Sequence, residues 1–266
     1  MDDDDRPVGR ILSRREILAL LGGSGVALLA ACTVPASGPA ATAAASAASA
    51  ASGTASAASS PATASAPTAL PSCIVRPALT EGPYFVDEKL DRSDIRSDPS
   101  DGSVRPGTSL TLTFNVSQVS GGVCTALAGA LVDVWHCDAT GVYSDAQDPS
   151  FSTKGKQFLR GYQATSAAGL ARFTTIYPGW YPGRAVHIHF KIRTGGRGLA
   201  GFEFTSQLFF DEAINDTVFA QAPYARAGQR LRNDGDGIYR SGGEKLLLAP
   251  ARDGAGYAAR FDIGIA

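Results

Sequence analysis

An all-β fold, an antiparallel β-sandwich with long loops and at most short helices, is what this sequence predicts. Three observations lead there. Apolar and polar residues alternate with period two over short runs. Gly, Pro, Asp and Asn cluster between those runs. No long stretch of helical periodicity occurs after residue 73. The elements follow in order. "LTLTFNV" (Leu110–Val116) alternates strictly and reads as a strand with one buried face. "ALVDVWHC" (Ala130–Cys137), "RFTTIY" (Arg172–Tyr177), "HIHFKI" (His187–Ile192) and "QLFF" (Gln207–Phe210) read the same way. "DEAINDTVFAQAP" (Asp211–Pro223) reads as a short helix ending at its proline, and "YAARFDI" (Tyr257–Ile263) as a last strand.

The sandwich is expected to begin at Cys73 and run to residue 266. Residues 33–72 are almost all Ala, Ser, Thr, Pro and Gly. Such a stretch has no large side chains to bury and cannot offset its own ordering entropy, so it reads as a flexible tether. In residues 1–32, Arg14–Arg15 precede an apolar run from Ile17 to Ala31, the pattern of a twin-arginine export signal. That run is shorter than the ~20 apolar residues a spanning helix needs. Its ending, "LLAAC", resembles a bacterial lipobox, so Cys32 is expected to carry a lipid and to be the chain's sole link to a membrane. The expected location is therefore outside the cytoplasm, as a cell-envelope lipoprotein or a periplasmic or extracellular protein. Cys73, Cys124 and Cys137 remain. One disulfide is expected in an oxidising compartment, joining Cys73 to one of the other two, because a strand holds the ends of the 124–137 segment apart. The net charge of −1 offers no basic surplus for nucleic acid, and oligomeric state is left open.

The chain has three histidines, and two of them, His187 and His189, stand one residue apart on a predicted strand. Residues i and i+2 share a face there, with Cα atoms ~6.6 Å apart, so both imidazoles can converge on one metal. Ile188 and Phe190 then face the core. The preceding loop, "TIYPGWYPGR", holds Tyr177, Trp180, Tyr181 and Arg184, and "DATGVYSD" holds Tyr143 just after a strand. A phenolate is a hard oxygen ligand that needs a strongly Lewis-acidic metal to ionise it, since free tyrosine titrates near pH ~10. Ferric iron suits such a set. Asp133 and Trp135 are expected to be structural, an acid bonded to a turn and a core aromatic. Tyr177 is expected in the core or at an edge.

With "LTEGPYFVD" (Leu79–Asp87), "GALVDVWHCDATGVYSD" (Gly129–Asp145), "FTTIYPGWYPGRAVHIHFKI" (Phe173–Ile192) and "TSQLFF" (Thr205–Phe210) in that order, the chain resembles the intradiol ring-cleavage dioxygenases, the catechol and protocatechuate dioxygenase family, and most of all its compact, exported branch. The resemblance implies a non-haem Fe(III) held by Tyr143, Tyr181, His187 and His189. It implies catalytic roles for Tyr181, which gives way to the substrate and takes one of its protons, for Arg184, which faces the substrate, and for Gln207 beside the ring. Gly82, Pro83 and Tyr84 match the segment that walls the substrate pocket, and Trp180 is expected to help hold the ring. The implied reaction takes a small aromatic diol and O2, and opens the ring between the hydroxylated carbons to a cis,cis-muconate-type product. His136 is given a minor structural role beside the metal. Five residues separate Tyr181 from His187, fewer than in many of the family, and the helical dimerisation domain of the catechol-cleaving branch is absent.

Other functions fit less well. A non-catalytic exported module binding a glycan or a protein needs no such ligand set. Zinc and copper hydrolases rely on His, Cys and carboxylates, and extradiol enzymes on two histidines and a carboxylate, which these motifs lack.

Overall fold

The computed structural model describes residues 74–195 and 201–265. The export signal, Cys32, the tether and Cys73 lie outside the described residues. The strands are β1 (Ser109–Ser120), β2 (Val123–Ala126), β3 (Leu131–Trp135), β4 (Gln147–Asp148), β5 (Phe151–Ser152), β6 (Arg160–Ala164), β7 (Leu170–Ile176), β8 (His187–Thr194), β9 (Phe202–Phe210), β10 (Leu247–Leu248), β11 (Ala251–Asp253) and β12 (Gly256–Ile265). The helices are α1 (Glu212–Phe219) and α2 (Gly237–Arg240). None of the described helices is long and apolar enough to cross a membrane.

Two five-stranded sheets stack on each other. One runs β11-β12-β1-β2, with β7 also on β1, and the other β10-β9-β8-β3-β6. β1 serves both neighbours on one side because it is long: Ser109 to Asn115 pair with β7, and Ser117 to Ser120 with β2. Its alternation puts Leu110, Leu112, Phe114 and Val116 in the core, all fully buried. Phe114 meets Phe173 and Phe261 of its own sheet at 6.2 and 5.9 Å, and Phe190 of the other sheet at 5.2 Å. These rings interlock the two layers in tilted and edge-on contacts.

The sandwich is mixed rather than purely antiparallel, since β1–β12 and β9–β10 are parallel pairs. Alternation reports which face is buried and carries no information on direction. The long connections from β9 to β10 and from β1 to β12 give the chain room for parallel pairing. β6, "RGYQA", was not expected, because Arg, Gly and Gln hide its period. It completes the edge beside β3. α1 is capped by Asp211, whose carboxylate accepts from Ala213 N at 2.8 Å, and it ends four residues before Pro223 rather than at it.

β8 has two unlike faces. Ile188, Phe190 and Ile192 enter the core, whereas His187, His189, Lys191 and Arg193 point to the outer side. A strap of residues 79–92 crosses that outer side. Leu79 N bonds Thr205 O on β9, Glu81 pairs with Lys191 on β8, Phe85 packs on Trp135 of β3, and Tyr162 N on β6 bonds Leu90 O. Lys191, buried between Glu81 and Glu203, also sits 4.0 Å above the Phe85 ring. The strap therefore lies pinned across four strands, with its Gly82–Tyr84 turn over the histidines.

Cys124 is disulfide-bonded and its partner lies outside the described residues, whereas Cys137 is a free, fully buried thiol.

Candidate active site

Tyr143, Tyr181, His187 and His189 come together. Tyr143 Oη lies 3.3 Å and Tyr181 Oη 3.2 Å from His187 Nε2, and His189 Nε2 lies 3.0 Å from the same nitrogen. Two turns and one strand deliver them. β8 supplies both imidazoles from one face. Asp138 folds the turn bearing Tyr143: its Oδ1 accepts from Thr140 N, Thr140 Oγ1 and Val142 N, and its carbonyl accepts from Gly141 N. The same carbonyl accepts from Gly179 N at 3.1 Å, which seats the Tyr181 loop against the Tyr143 turn. The fit is close enough that glycine is required. A Cβ on Gly141, at φ +88°, would lie 2.3 Å from Trp180 O, and one on Gly179 2.3 Å from Asp138 O.

The ring of His187 is oriented by its Nδ1, which donates to Ala185 O at 2.6 Å and so leaves a lone pair on Nε2. His189 is oriented by stacking on Trp135, with ring centroids 5.0 Å apart and planes within 8°. Burial holds both imidazoles neutral, well below the usual histidine range, and the Arg184 cation adds to the effect. Burial also raises both phenols, Tyr143 further by its closeness to Tyr181, while Arg184 partly opposes the rise at Tyr181. A single lone pair on His187 Nε2 thus faces two hydroxyls and a second neutral imidazole nitrogen. It cannot satisfy all three, and a cation among the four donors can. Metal–ligand bonds of about 2.1 Å place adjacent ligand atoms about 3.0 to 3.4 Å apart at angles between octahedral and tetrahedral, which matches the spacing here. The residues therefore fit a hard, Lewis-acidic metal ion. Among the described residues no three His, Cys, Asp or Glu side chains gather into a metal-type cluster.

Arg184 is beside this centre. Its Nη2 donates to Gln207 Oε1 at 2.5 Å, its Nε donates to Asp236 Oδ2 at 3.0 Å, and Gln207 Nε2 donates to Thr80 O at 2.9 Å. Gly82 is close enough that a Cβ would lie 3.2 Å from His189 Cε1. Pro83 is exposed at the rim. Tyr84 stacks on Tyr143, centroids 4.5 Å apart, and donates to Asp148 Oδ2 at 2.8 Å. Burial and that hydrogen bond push the Tyr84 phenol up to about 12. Trp180 is turned into the loop packing, with the Arg226 guanidinium 3.8 Å above its ring.

The secondary expectations fare unequally: that for Asp133 is corrected, that for Trp135 is refined, and those for His136 and Tyr177 hold. Asp133 bonds no turn: Arg193, on the neighbouring strand β8, donates to both its oxygens at 2.9 and 2.7 Å. Trp135 is buried, but on the outer side of the sheet with Tyr143 and Cys137 rather than in the main core. His136 contacts no ligand, as its ring nitrogens are committed to Cys137 O and Thr175 Oγ1. Tyr177 is a core residue that donates to Asn215 Oδ1 at 2.7 Å. Sequence reasoning also missed Arg160 and Arg226. Arg160, on β6, donates to Ser144 Oγ and to Tyr84 O, holding Tyr84 itself and the neighbour of Tyr143. Arg226 donates to Thr140 O and Trp180 O, fastening the two tyrosine turns from outside.

Comparisons with known proteins place the chain among dioxygenases. The family model described as "Dioxygenase" matches residues 80–237. A solved structure of an intradiol ring-cleavage dioxygenase from Tetranychus urticae is 30% identical, with a TM-score of 0.62 over 73% of this chain and 94% of that one. The dioxygenase domain of a dioxygenase–carbohydrate-binding fusion protein from Streptomyces sp. SirexAA-E is 28% identical, with a TM-score of 0.52 over 72% of this chain and 98% of that domain.

Proposed function

We propose, from the premise that this chain belongs to the intradiol ring-cleavage dioxygenase family and is such an enzyme, that its site holds one non-haem Fe(III) on Tyr143, Tyr181, His187 and His189. Its substrate is a small aromatic vicinal diol, and both atoms of O2 enter a cis,cis-muconate-type product. The carrying observation is the gathering of two phenol oxygens and one imidazole nitrogen within 3.3 Å of His187 Nε2. Bound Fe(III) supplies the Lewis acidity and redox capacity that let a singlet diol react with triplet dioxygen.

The chain's own residues do the rest. Tyr181, which would be a phenolate when it holds the metal, takes one proton from the arriving diol, and burial favours the phenol so formed. Gly82, Pro83 and Tyr84 wall the ring, and Trp180 backs Tyr181 from within the loop. The Arg184 guanidinium stays charged and stabilises negative charge building on the ring carbon in a site with little water. Gln207 has one N–H on Thr80 O and its Oε1 on Arg184, so it holds the guanidinium in place and offers its second N–H to the ring.

The test is the visible spectrum and iron content of the purified protein, followed by oxygen uptake with a panel of catechols and mass analysis of the product. A red-brown band shifted by diols, with two oxygen atoms in the product, is expected. An iron-loaded protein whose spectrum no catechol perturbs defeats the reading. Export and lipidation at Cys32 belong to the same proposal, supported by "LSRREILALL" and "LLAAC". Their check is the mass of the mature N-terminal residue.

A further inference from the structure

The site contains a charge relation that neither the ligand motifs nor the substrate segment includes. Asp236 is 1% exposed and 52 residues from Arg184 in sequence. Four donors hold its carboxylate. Oδ2 accepts from Arg184 Nε at 3.0 Å and Ala185 N at 2.8 Å, and Oδ1 from Ile238 N at 2.7 Å and Tyr239 N at 3.2 Å. It is the sole carboxylate within ion-pair distance of Arg184 among the described residues. The neighbouring Nη2 of the guanidinium rests on Gln207, itself tied to the strap through Thr80 O. Arg184 is thus gripped at two nitrogens: Gln207 fixes Nη2, and Asp236 fixes Nε together with the adjoining backbone.

We propose that Asp236 is the positioning residue for Arg184, its buried carboxylate setting where the guanidinium stands over the reacting diol; this rests on the ring-cleavage reading of the site. Asp236 touches no metal ligand and no substrate position, so it acts only through Arg184. It also caps α2. A cap alone accounts for the Oδ1 bonds, and it leaves both Oδ2 bonds without a purpose. Asparagine caps helices as well as aspartate does, so Asp236→Asn separates the two roles: it keeps the cap and turns an amide toward the guanidinium. Asp236→Ser, with a shorter capping side chain, is the second variant should the first fold poorly.

The test uses the full chain, iron-loaded, with catechol as the probe. Asp236→Asn should lower kcat on the order of 10²-fold, as a displacement near 1 Å does, with iron content, visible band and KM little changed. Arg184→Met should cost a similar factor. In the Arg184→Met background, Asp236→Asn should add less than about twofold, because the two substitutions remove one interaction. Equal losses in both backgrounds, or a wild-type kcat in Asp236→Asn, overturn the proposal. A second readout needs neither metal nor turnover. Modification of Arg184 by phenylglyoxal, followed by peptide mass mapping of metal-free protein, should speed up on the order of tenfold in Asp236→Asn, the value of a charge-assisted hydrogen bond. An unchanged rate overturns the positioning role. Wild-type protein that binds iron but consumes no oxygen with catechol defeats the ring-cleavage reading instead, and the reagent arm then decides Asp236 alone.

Discussion

Replacing His136 with glutamine should flatten the acid limb of the protein's stability. His136 is 1% exposed, with Nε2 2.7 Å from Thr175 Oγ1 and Nδ1 2.8 Å from Cys137 O. Burial lowers its pKa from 6.5 to about 4, against the opposing pull of the Cys137 carbonyl and Asp138. An unfolded chain therefore binds a proton here near pH 6.5, and the native one does not until about pH 4. Between these values the unfolded state holds one proton more, so stability falls as pH falls. At about 1.4 kcal/mol per pH unit, His136 contributes about 3 kcal/mol that is fully present above pH 6.5 and gone below about pH 4. Glutamine has no such proton and gives up one hydrogen bond, about 1–2 kcal/mol. Wild type should be the more stable near neutral pH, and the two curves should cross on acidification, at about pH 5 to 6. Asp133, raised by burial to about 6, works in the opposite sense, but equally in both proteins, so it cancels from the difference. Urea unfolding of metal-free protein from about pH 7.5 to about pH 4.5, followed by fluorescence of Trp135 and Trp180, measures that difference. Parallel curves across this range would refute the account of His136 as a buried neutral base.

Gly179→Ala should destabilise by about 2–4 kcal/mol in urea and lower the iron bound per chain, because its Cβ would lie 2.3 Å from Asp138 O and both obstructing groups are backbone. Phe190→Ala should cost about 3–5 kcal/mol by emptying the ring cluster between the sheets, while folded protein keeps its iron band, since the ligands face the other way. Tyr143→Phe should leave the far-ultraviolet circular dichroism unchanged and weaken or shift the visible band, because it removes one donor oxygen at nearly constant volume.

What was legible in the sequence was what short-range spacing encodes. Alternation located β1, β3, β7, β8, β9 and β12, and the i, i+2 rule placed both histidines on one face. Strand direction was hidden, because alternation is the same in either direction, and β6 was hidden by Arg160, Gly161 and Gln163 where a period should show. The four donor residues were found through local motifs, whereas the groups that orient them were not. Asp236 sits in "NDGDGIY", which reads as a turn, and Arg160 and Arg226 work through partners 16 to 86 residues away. Asp138 did leave a signal: an aspartate three residues before a glycine is an Asx-turn pattern, and here it shapes the turn bearing Tyr143.

The two tyrosines are held very unequally, and the inequality bears on which of them can yield to a substrate. Tyr143 is 1% exposed, lies under the Tyr84 ring, and follows a turn fixed by three bonds to one aspartate side chain. Moving it would unstack Tyr84 and break the strap's contact with the site. Tyr181 is partly exposed and is followed by exposed Pro182 and Gly183, the latter at φ +86°. Its upstream side is anchored through Gly179 N and Arg226, whereas its ring meets Tyr143 edge-on and the His187 ring. Rotating Tyr181 outward disturbs only the small outer cluster around Trp135, Cys137, Tyr143 and Ala146 and leaves the main core intact, and the charge of Arg184 acts on its oxygen. On the ring-cleavage reading proposed above, Tyr181 therefore yields at lower cost than Tyr143.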